Sequence, residues 1–386
     1  MADSECFRTT LPDVAGHRFT LHPDGPERLE TLVALINGAQ TSLRLLYYIF
    51  TSDGVSQRVR DALAEAAGRG VDVALLIDGF GSEQADDEFL APIEAAGGRF
   101  FRYEAKRSRR YLLRNHQKMA IADERKALIG GFNVEYGYFA PYGEGWRDLG
   151  IGLEGPAVKR LARYFDALFE WSLTPGSKMR GLRAILLRHS EQDGPVRWLL
   201  GGPTRELSPW AQALNNDLAS ADRLDMIAAY FAPYGALMRR ICDIAKRDHA
   251  RIVTAAKSDN QITIAAARNR YQYLLPSVDI YEYQPSRLHT KLFVVGDSTY
   301  IGSANCDVRS LYLNLEIMLR IRDAGFAAAM RRYIDGEVAD SKPITEQSYY
   351  AKRTLWRRIK GRFAYILMSV IDYNVSRRLN FGLDGR

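Results

Sequence analysis

The chain has 386 residues, 47% hydrophobic and 26% charged, which excludes wholesale disorder, collagen-like repeats and coiled-coil arrays and predicts about two domains. Three widely spaced cysteines, Cys6, Cys242 and Cys306, make neither a disulfide framework nor a zinc spacing and fit a reducing compartment. The net charge of +7 is uneven: residues 351–386 carry nine Lys or Arg against two Asp and hold all of it, so the tail calls for an anionic partner, a membrane surface or a nucleic acid.

The N-terminus, MADSECFRTT, has no basic region leading into an apolar stretch, and no run approaches the ~20 apolar residues that span a bilayer. The expectation is a protein that is neither secreted nor integral to a membrane. In chain order, residues 26–50 predict an amphipathic helix followed by an apolar strand. Residues 54–79 repeat the pattern, with Val55, Val59, Leu63 and Ala66 at helical spacing before a buried strand over Val71–Ile77. Residues 92–105 end in a short alternating aromatic strand. The same three pairs recur at 208–233, 235–259 and 273–285. Strands alternating with helices of this length predict an α/β layer fold in each half. Turn and linker residues at 174–205 mark where the halves meet, giving a first repeat over 1–190, a second over 191–345 and a basic tail over 346–386.

Each half then carries one copy of a reactive motif. The first, NHQKMAIADERKALIGGFN, holds His116, Lys118, Asp123, Gly130, Gly131 and Asn133; the second, LHTKLFVVGDSTYIGSAN, holds His289, Lys291, Gly302, Ser303 and Asn305. In both, H-x-K opens an apolar strand, a polar turn follows, and a second strand ends in G-[GS]-x-N. Strand periodicity puts His and Lys on one face, to which the hairpin returns the Asn. Together they supply a nucleophile or acid/base, a positive charge and a neutral hydrogen-bond donor, a set suited to phosphoryl transfer. Two copies give one His to attack and another to protonate the leaving group.

These residues resemble the phospholipase D superfamily, over roughly residues 26–340. GWRDLGIGLEGPAV (145–158) and GSANCDVRSLYLNLEI (302–317) narrow the resemblance to bacterial cardiolipin synthases, in the short form without transmembrane helices. The resemblance implies two α/β domains related by a pseudo-twofold axis, with one active site between them. It implies a mechanism without metal or cofactor, through a phosphohistidine on His116, with His289 protonating the leaving alcohol and deprotonating the acceptor. Lys118, Lys291, Asn133 and Asn305 would hold the phosphoryl oxygens. A nucleophilic His needs its other nitrogen held in one tautomer. The family places a carboxylate downstream of each motif for this, and Asp148 and Glu316 are the matching positions. The second copy departs from the pattern: Gly296 stands where the motif's Asp should be, Asp297 is displaced by one, and one residue is missing at the hairpin tip. Asp123, Asp297 and Ser303 are read as supporting residues.

Two basic segments complete the sequence. Residues 106–118 place Arg109, Arg110 and Arg114 just ahead of His116, as a solvated basic loop or as a mouth for anionic headgroups or another polyanion. The tail reads as a basic amphipathic helix, with Trp356, Arg357, Arg358, Lys360 and Arg362 beside a stripe from Leu355 to Val370, suited to an anionic membrane interface. Four functions compete: a phosphatidyltransferase making cardiolipin from phosphatidylglycerol, a phospholipid hydrolase, a nuclease, and a lipid-binding module without activity. The apolar, Trp-containing tail favours lipid over nucleic acid, W-R-D and N-x-D-x-R-S-L favour the synthase, and intact His–Lys pairs oppose the binding module. The expected location is cytoplasmic, peripheral on the inner face of the cell membrane.

Overall fold

The computed structural model describes residues 11–103, 113–204, 206–258 and 261–351. The first half runs β1 (Arg18–His22), α1 (Gly25–Gly38), β2 (Ser42–Tyr47), α2 (Gly54–Gly68), β3 (Asp72–Asp78), α3 (Asp87–Ala95), β4 (Arg99–Tyr103), β5 (Met119–Ala122), β6 (Lys126–Gly130), α4 (Tyr136–Phe139), β7 (Trp146–Arg147), β8 (Gly150–Glu154), α5 (Pro156–Leu173) and α6 (Met179–His189). The second runs β9 (Val196–Gly201), α7 (Pro209–Ser220), β10 (Arg223–Ala228), β11 (Phe231–Ala232), α8 (Gly235–Arg247), β12 (His249–Ala255), α9 (Gln261–Leu274), β13 (Asp279–Tyr283), β14 (Arg287–Leu288), β15 (Lys291–Val295), β16 (Ser298–Gly302), β17 (Cys306–Asp307), α10 (Val308–Tyr312), β18 (Glu316–Arg322), α11 (Ala324–Ala339), β19 (Ser341–Ile344) and α12 (Glu346–Ala351).

Each half forms one mixed sheet. The orders, β1-β8-β6-β5-β2-β3-β4 and β9-β18-β16-β15-β10-β12-β13-β19, are the same apart from β19 at the far edge of the second. The tandem α/β expectation holds at the level of strand order. Short N-capped helices return the chain between parallel strands: Asp53 caps α2 through Ser56 N at 2.9 Å, and Asp86 caps α3 through Phe89 N at 2.8 Å. The alternating residues of each sheet feed two different cores. Leu43, Leu45, Val73 and Leu75 pack under α1, α2 and α3; Leu224, Met226, Ile252 and Phe293 pack under α7, α8 and α9. The inner faces of both sheets share a third core with α5, α6 and α11. That shared core fixes the two halves against each other and places their reactive hairpins face to face.

The expected linker is more than a linker. Between its turns lies α6, which buries Met179, Leu182 and Leu186 in the shared core, and β9 is already the edge strand of the second sheet. The hairpin departure also has a concrete form. Asp123 N donates to Ser42 O at 2.9 Å, and Gly296 N donates to Arg223 O at 2.9 Å, so the two residues are equivalent. Both have φ of +54, which Gly296 adopts without strain. The first hairpin then turns through three residues (Ala122 pairs with Lys126) and the second through two (Val295 pairs with Ser298).

Candidate active site

The two H-x-K segments enter the site at the starts of β5 and β15, where each is stitched to the other half. His116 N donates to Leu315 O at 2.9 Å and Leu315 N to Arg114 O at 2.9 Å; His289 N donates to Arg147 O at 2.7 Å. Leu315 and Arg147 are the residues immediately before Glu316 and Asp148. Each carboxylate is thereby delivered to the imidazole of the opposite half. His116 Nδ1 lies 3.1 Å from both oxygens of Glu316, and His289 Nδ1 lies 2.7 Å from Asp148 Oδ2. Sequence order names the two carboxylates but does not reveal this crossing.

The glycine and serine of G-[GS]-x-N stand directly against the two acids. A Cβ on Gly131 would stand 2.7 Å from Asp148 Oδ1 and 3.1 Å from Lys291 Cδ, so only glycine leaves room for this approach. In the second half Ser303 occupies that place and donates its hydroxyl to Glu316 Oε2, while Ile317 N donates to Ser303 Oγ at 3.0 Å.

Six titratable groups, His116, Lys118, Asp148, His289, Lys291 and Glu316, cluster here. Burial pushes His116 down to about 4, with Glu316 opposing, and the same burial, helped by Lys291, pushes His289 down to about 3. Burial therefore favours the neutral form of both imidazoles, with Nδ1 of each held by a carboxylate. Burial lowers Lys291 to about 8 and Lys118 well below its ordinary range. Burial raises Asp148, but His289, Lys291 and Arg28 outweigh it and hold the carboxyl below its usual range. Each lysine also donates to the carbonyl of its own histidine, Lys118 to His116 O at 2.5 Å and Lys291 to His289 O. The site gathers two imidazoles, two buried lysines and two buried carboxylates, with the positive and negative side chains matched in number.

The two histidines differ in their walls. His116 is 12% exposed and has Tyr48 at 5.1 Å; His289 is 4% exposed and is ringed by Tyr138 at 5.1 Å, Trp146 at 5.3 Å and Tyr230 at 6.1 Å. Sequence reading missed these rings. Trp146 alone carried a signal, since it lies two residues before Asp148 and so shares its face. Two buried supports were missed as well. Arg28 donates to Asp148 O at 2.8 Å, and Gln117 donates to Glu316 O at 3.0 Å.

Asn133 and Asn305 are 1% and 5% exposed at the ends of the hairpins. Asn133 Oδ1 accepts from Ile49 N at 3.1 Å, whereas Asn305 Oδ1 has no partner among the described residues. Asp123 lies away from the chemistry: it accepts from Gln40 N, Thr41 N and Ser42 N and ties α1 to β2. The carboxylate of Asp297 makes none of these bonds; its carbonyl accepts from Asp323 N at 3.0 Å. Arg114 is 8% exposed, with its guanidinium 4.1 Å over the Phe80 ring. Arg109, Arg110, Trp356, Arg357, Arg358, Lys360 and Arg362 lie outside the described residues.

The sequence matches a family model described as "Cardiolipin synthase, PLD-like domain" over residues 32–171 and 214–337, one segment in each half. It is 28% identical over 387 residues to cardiolipin synthase A of Edwardsiella ictaluri (strain 93-146), covering 94% of this chain and 78% of that protein. It is 30% identical over 368 residues to cardiolipin synthase B of Escherichia coli (strain K12), covering 91% and 87%. Among solved structures, phosphatidylserine synthase from Haemophilus influenzae Rd KW20 superposes with a TM-score of 0.73 at 13% identity, covering 97% of this chain and 98% of that one. Polyphosphate kinase from Porphyromonas gingivalis superposes with a TM-score of 0.59 at 12% identity, covering 95% and 53%. These two likenesses concern the fold.

Proposed function

Since the chain belongs to the phospholipase D-like family of cardiolipin synthases, we propose that it moves the phosphatidyl group of one phosphatidylglycerol to a hydroxyl of another, making cardiolipin and releasing glycerol. The observation that carries this reading is the pair of neutral imidazoles, each held at Nδ1 by the opposite half's carboxylate, around two buried lysines. Lys118 and Lys291 neutralise the phosphodiester, and Asn133 and Asn305 supply neutral donors. His116 Nε2 attacks phosphorus while Nδ1 keeps its proton and donates it to the Glu316 carboxylate. His289, protonated once the anionic substrate offsets the neighbouring lysines, gives its proton to the departing glycerol oxygen. The acceptor hydroxyl then yields its proton to His289, its oxygen bonds to phosphorus, and the bond to His116 breaks. The greater exposure of His116 supports its role as the attacking residue.

No helix among the described residues is long and apolar enough to cross a membrane. The substrate is a lipid in this reading, so the protein works as a peripheral enzyme on the inner face of the cell membrane, docked by the basic tail that begins after residue 345. The repeats at 1–190 and 191–345 are its two working units.

The test is direct. Purified protein is incubated with phosphatidylglycerol vesicles and the products are identified by mass spectrometry. Cardiolipin with equimolar glycerol is the expected result. Phosphatidic acid as the sole lipid product overturns the transferase reading in favour of hydrolysis.

A further inference from the structure

We propose that Arg287 and Lys257 form a second anion subsite beside His289, which holds the phosphodiester of the accepting lipid. This rests on the reading that the acceptor is itself an anionic phospholipid. In that reaction one phosphate sits at the transfer centre between Lys118 and Lys291. The other remains on the acceptor, a three-carbon glycerol away from the hydroxyl that His289 deprotonates. Its charge needs a cation at that distance on the His289 side.

The strand through β14 and β15 provides one. Residues 287, 289 and 291 alternate onto one face, and two residues advance the chain by about 7 Å. His289 and Lys291 are buried in the site, so Arg287 is the outermost member of the row. Its guanidinium lies 4.6 Å over the ring of Trp146, which itself stands 5.3 Å from His289. Arg287 makes no ion pair with any carboxylate among the described residues. A second cation lies alongside: Lys257, exposed on the β12–α9 connection, donates Nζ to Pro285 O at 3.1 Å, two residues before Arg287. Asp340, whose carbonyl accepts from Gln284 N at 3.2 Å, has its carboxylate engaged by the Tyr142 hydroxyl. The counterpart two residues before His116, Arg114, differs in that it faces the carboxylate of Asp78. The uncompensated positive charge is therefore on the acceptor side.

The experiment gives the enzyme a short-chain phosphatidyl-p-nitrophenol as donor. The acceptor is phosphatidylglycerol or the uncharged lipid alcohol monoacylglycerol, offered in competition. Arg287→Gln is expected to raise KM for phosphatidylglycerol about ten- to a hundred-fold and to lower the preference for it over monoacylglycerol by the same factor. Arg287→Lys is expected to keep part of the preference, and Lys257→Gln, at an exposed position, to lower it by less. An unchanged preference in Arg287→Gln and Lys257→Gln, or an equal loss on both acceptors, overturns the subsite. Wild-type enzyme that transfers to neither lipid overturns the reading of the reaction instead, so the two failures are distinct.

Discussion

His116 and Glu316 are 200 residues apart, yet Nδ1 of one lies 3.1 Å from both carboxylate oxygens of the other. The reciprocal contact, His289 with Asp148 at 2.7 Å, spans 141 residues in the opposite direction along the chain. Each half therefore brings a reactive imidazole and the acid that orients its partner's imidazole.

Glu316→Gln and Asp148→Asn should leave the fold intact and lower turnover by about 10²–10⁴-fold, because the amide no longer fixes the imidazole tautomer. The crossing separates them. With a p-nitrophenyl donor, whose leaving group needs no proton, Glu316→Gln should slow the initial burst, since it disorients His116. Asp148→Asn should keep the burst and slow the steady state. A burst defect in Asp148→Asn with a normal burst in Glu316→Gln would assign the acids the other way round.

His116→Ala and His289→Ala should each abolish turnover with unchanged melting temperature. With the p-nitrophenyl donor, His289→Ala should accumulate a phosphate ester on His116, detectable by mass spectrometry of acid-labile peptides. Label on position 289 in the reverse experiment, with His116→Ala, would exchange the roles.

The pH profile of kcat/KM should be broad. His116 must be neutral to attack, and it is pushed down to about 4, so the acid limb belongs near pH 4 rather than at the ordinary imidazole value. Lys291 must be charged to hold the phosphodiester, and burial lowers it to about 8, so activity should decline as pH rises through about 8. An acid limb near 6.5 would mean that the imidazole is not desolvated in solution.

Arg147 and Glu337 form a buried ion pair, with Nη2 2.5 Å from Oε1, between the W-R-D segment and α11. Glu337→Leu leaves Arg147 buried without its anion and should cost about 3–5 kcal/mol in denaturant unfolding. Adding Arg147→Met should recover most of that loss, because replacing both partners by apolar groups removes the stranded charge. No recovery in the double variant would show that the pair contributes geometry and not charge balance.

Chelation by EDTA should leave activity unchanged, since Lys118 and Lys291 provide the charge at the transfer centre. Inhibition reversed by a divalent cation would refute this.

Much of this was readable from residues alone because it is local. The helix–strand pairs follow from apolar periodicity, and the hairpins from H-x-K and G-[GS]-x-N standing at fixed distances. Asp148 and Glu316 could be named, but their partners could not, because nothing in either half's spacing records that the sheets meet face to face. Tyr48 and Tyr230 reach the site from loops after strands and Tyr138 from the single turn of α4, where side-chain direction is set by packing and not by strand alternation. β1 and β9 escaped prediction for a similar reason: as edge strands of five and six residues, they owe their place to partners far along the chain. Arg28 and Gln117 look like ordinary polar residues of a helix and a strand until their backbone acceptors are seen.

The crossed acids also decide what half a molecule could do. A single repeat, expressed alone, would possess a histidine but not the acid that orients it, and would regain one only by meeting a second copy about a twofold axis. In such a symmetric pair both ends of the site would be identical, and attacking and proton-transferring residues would be interchangeable. Joining the repeats in one chain lifts that restriction. Gly131 with Asp148 at one end and Ser303 with Glu316 at the other are then free to diverge, and a phosphodiester arriving between them meets an inside that distinguishes left from right.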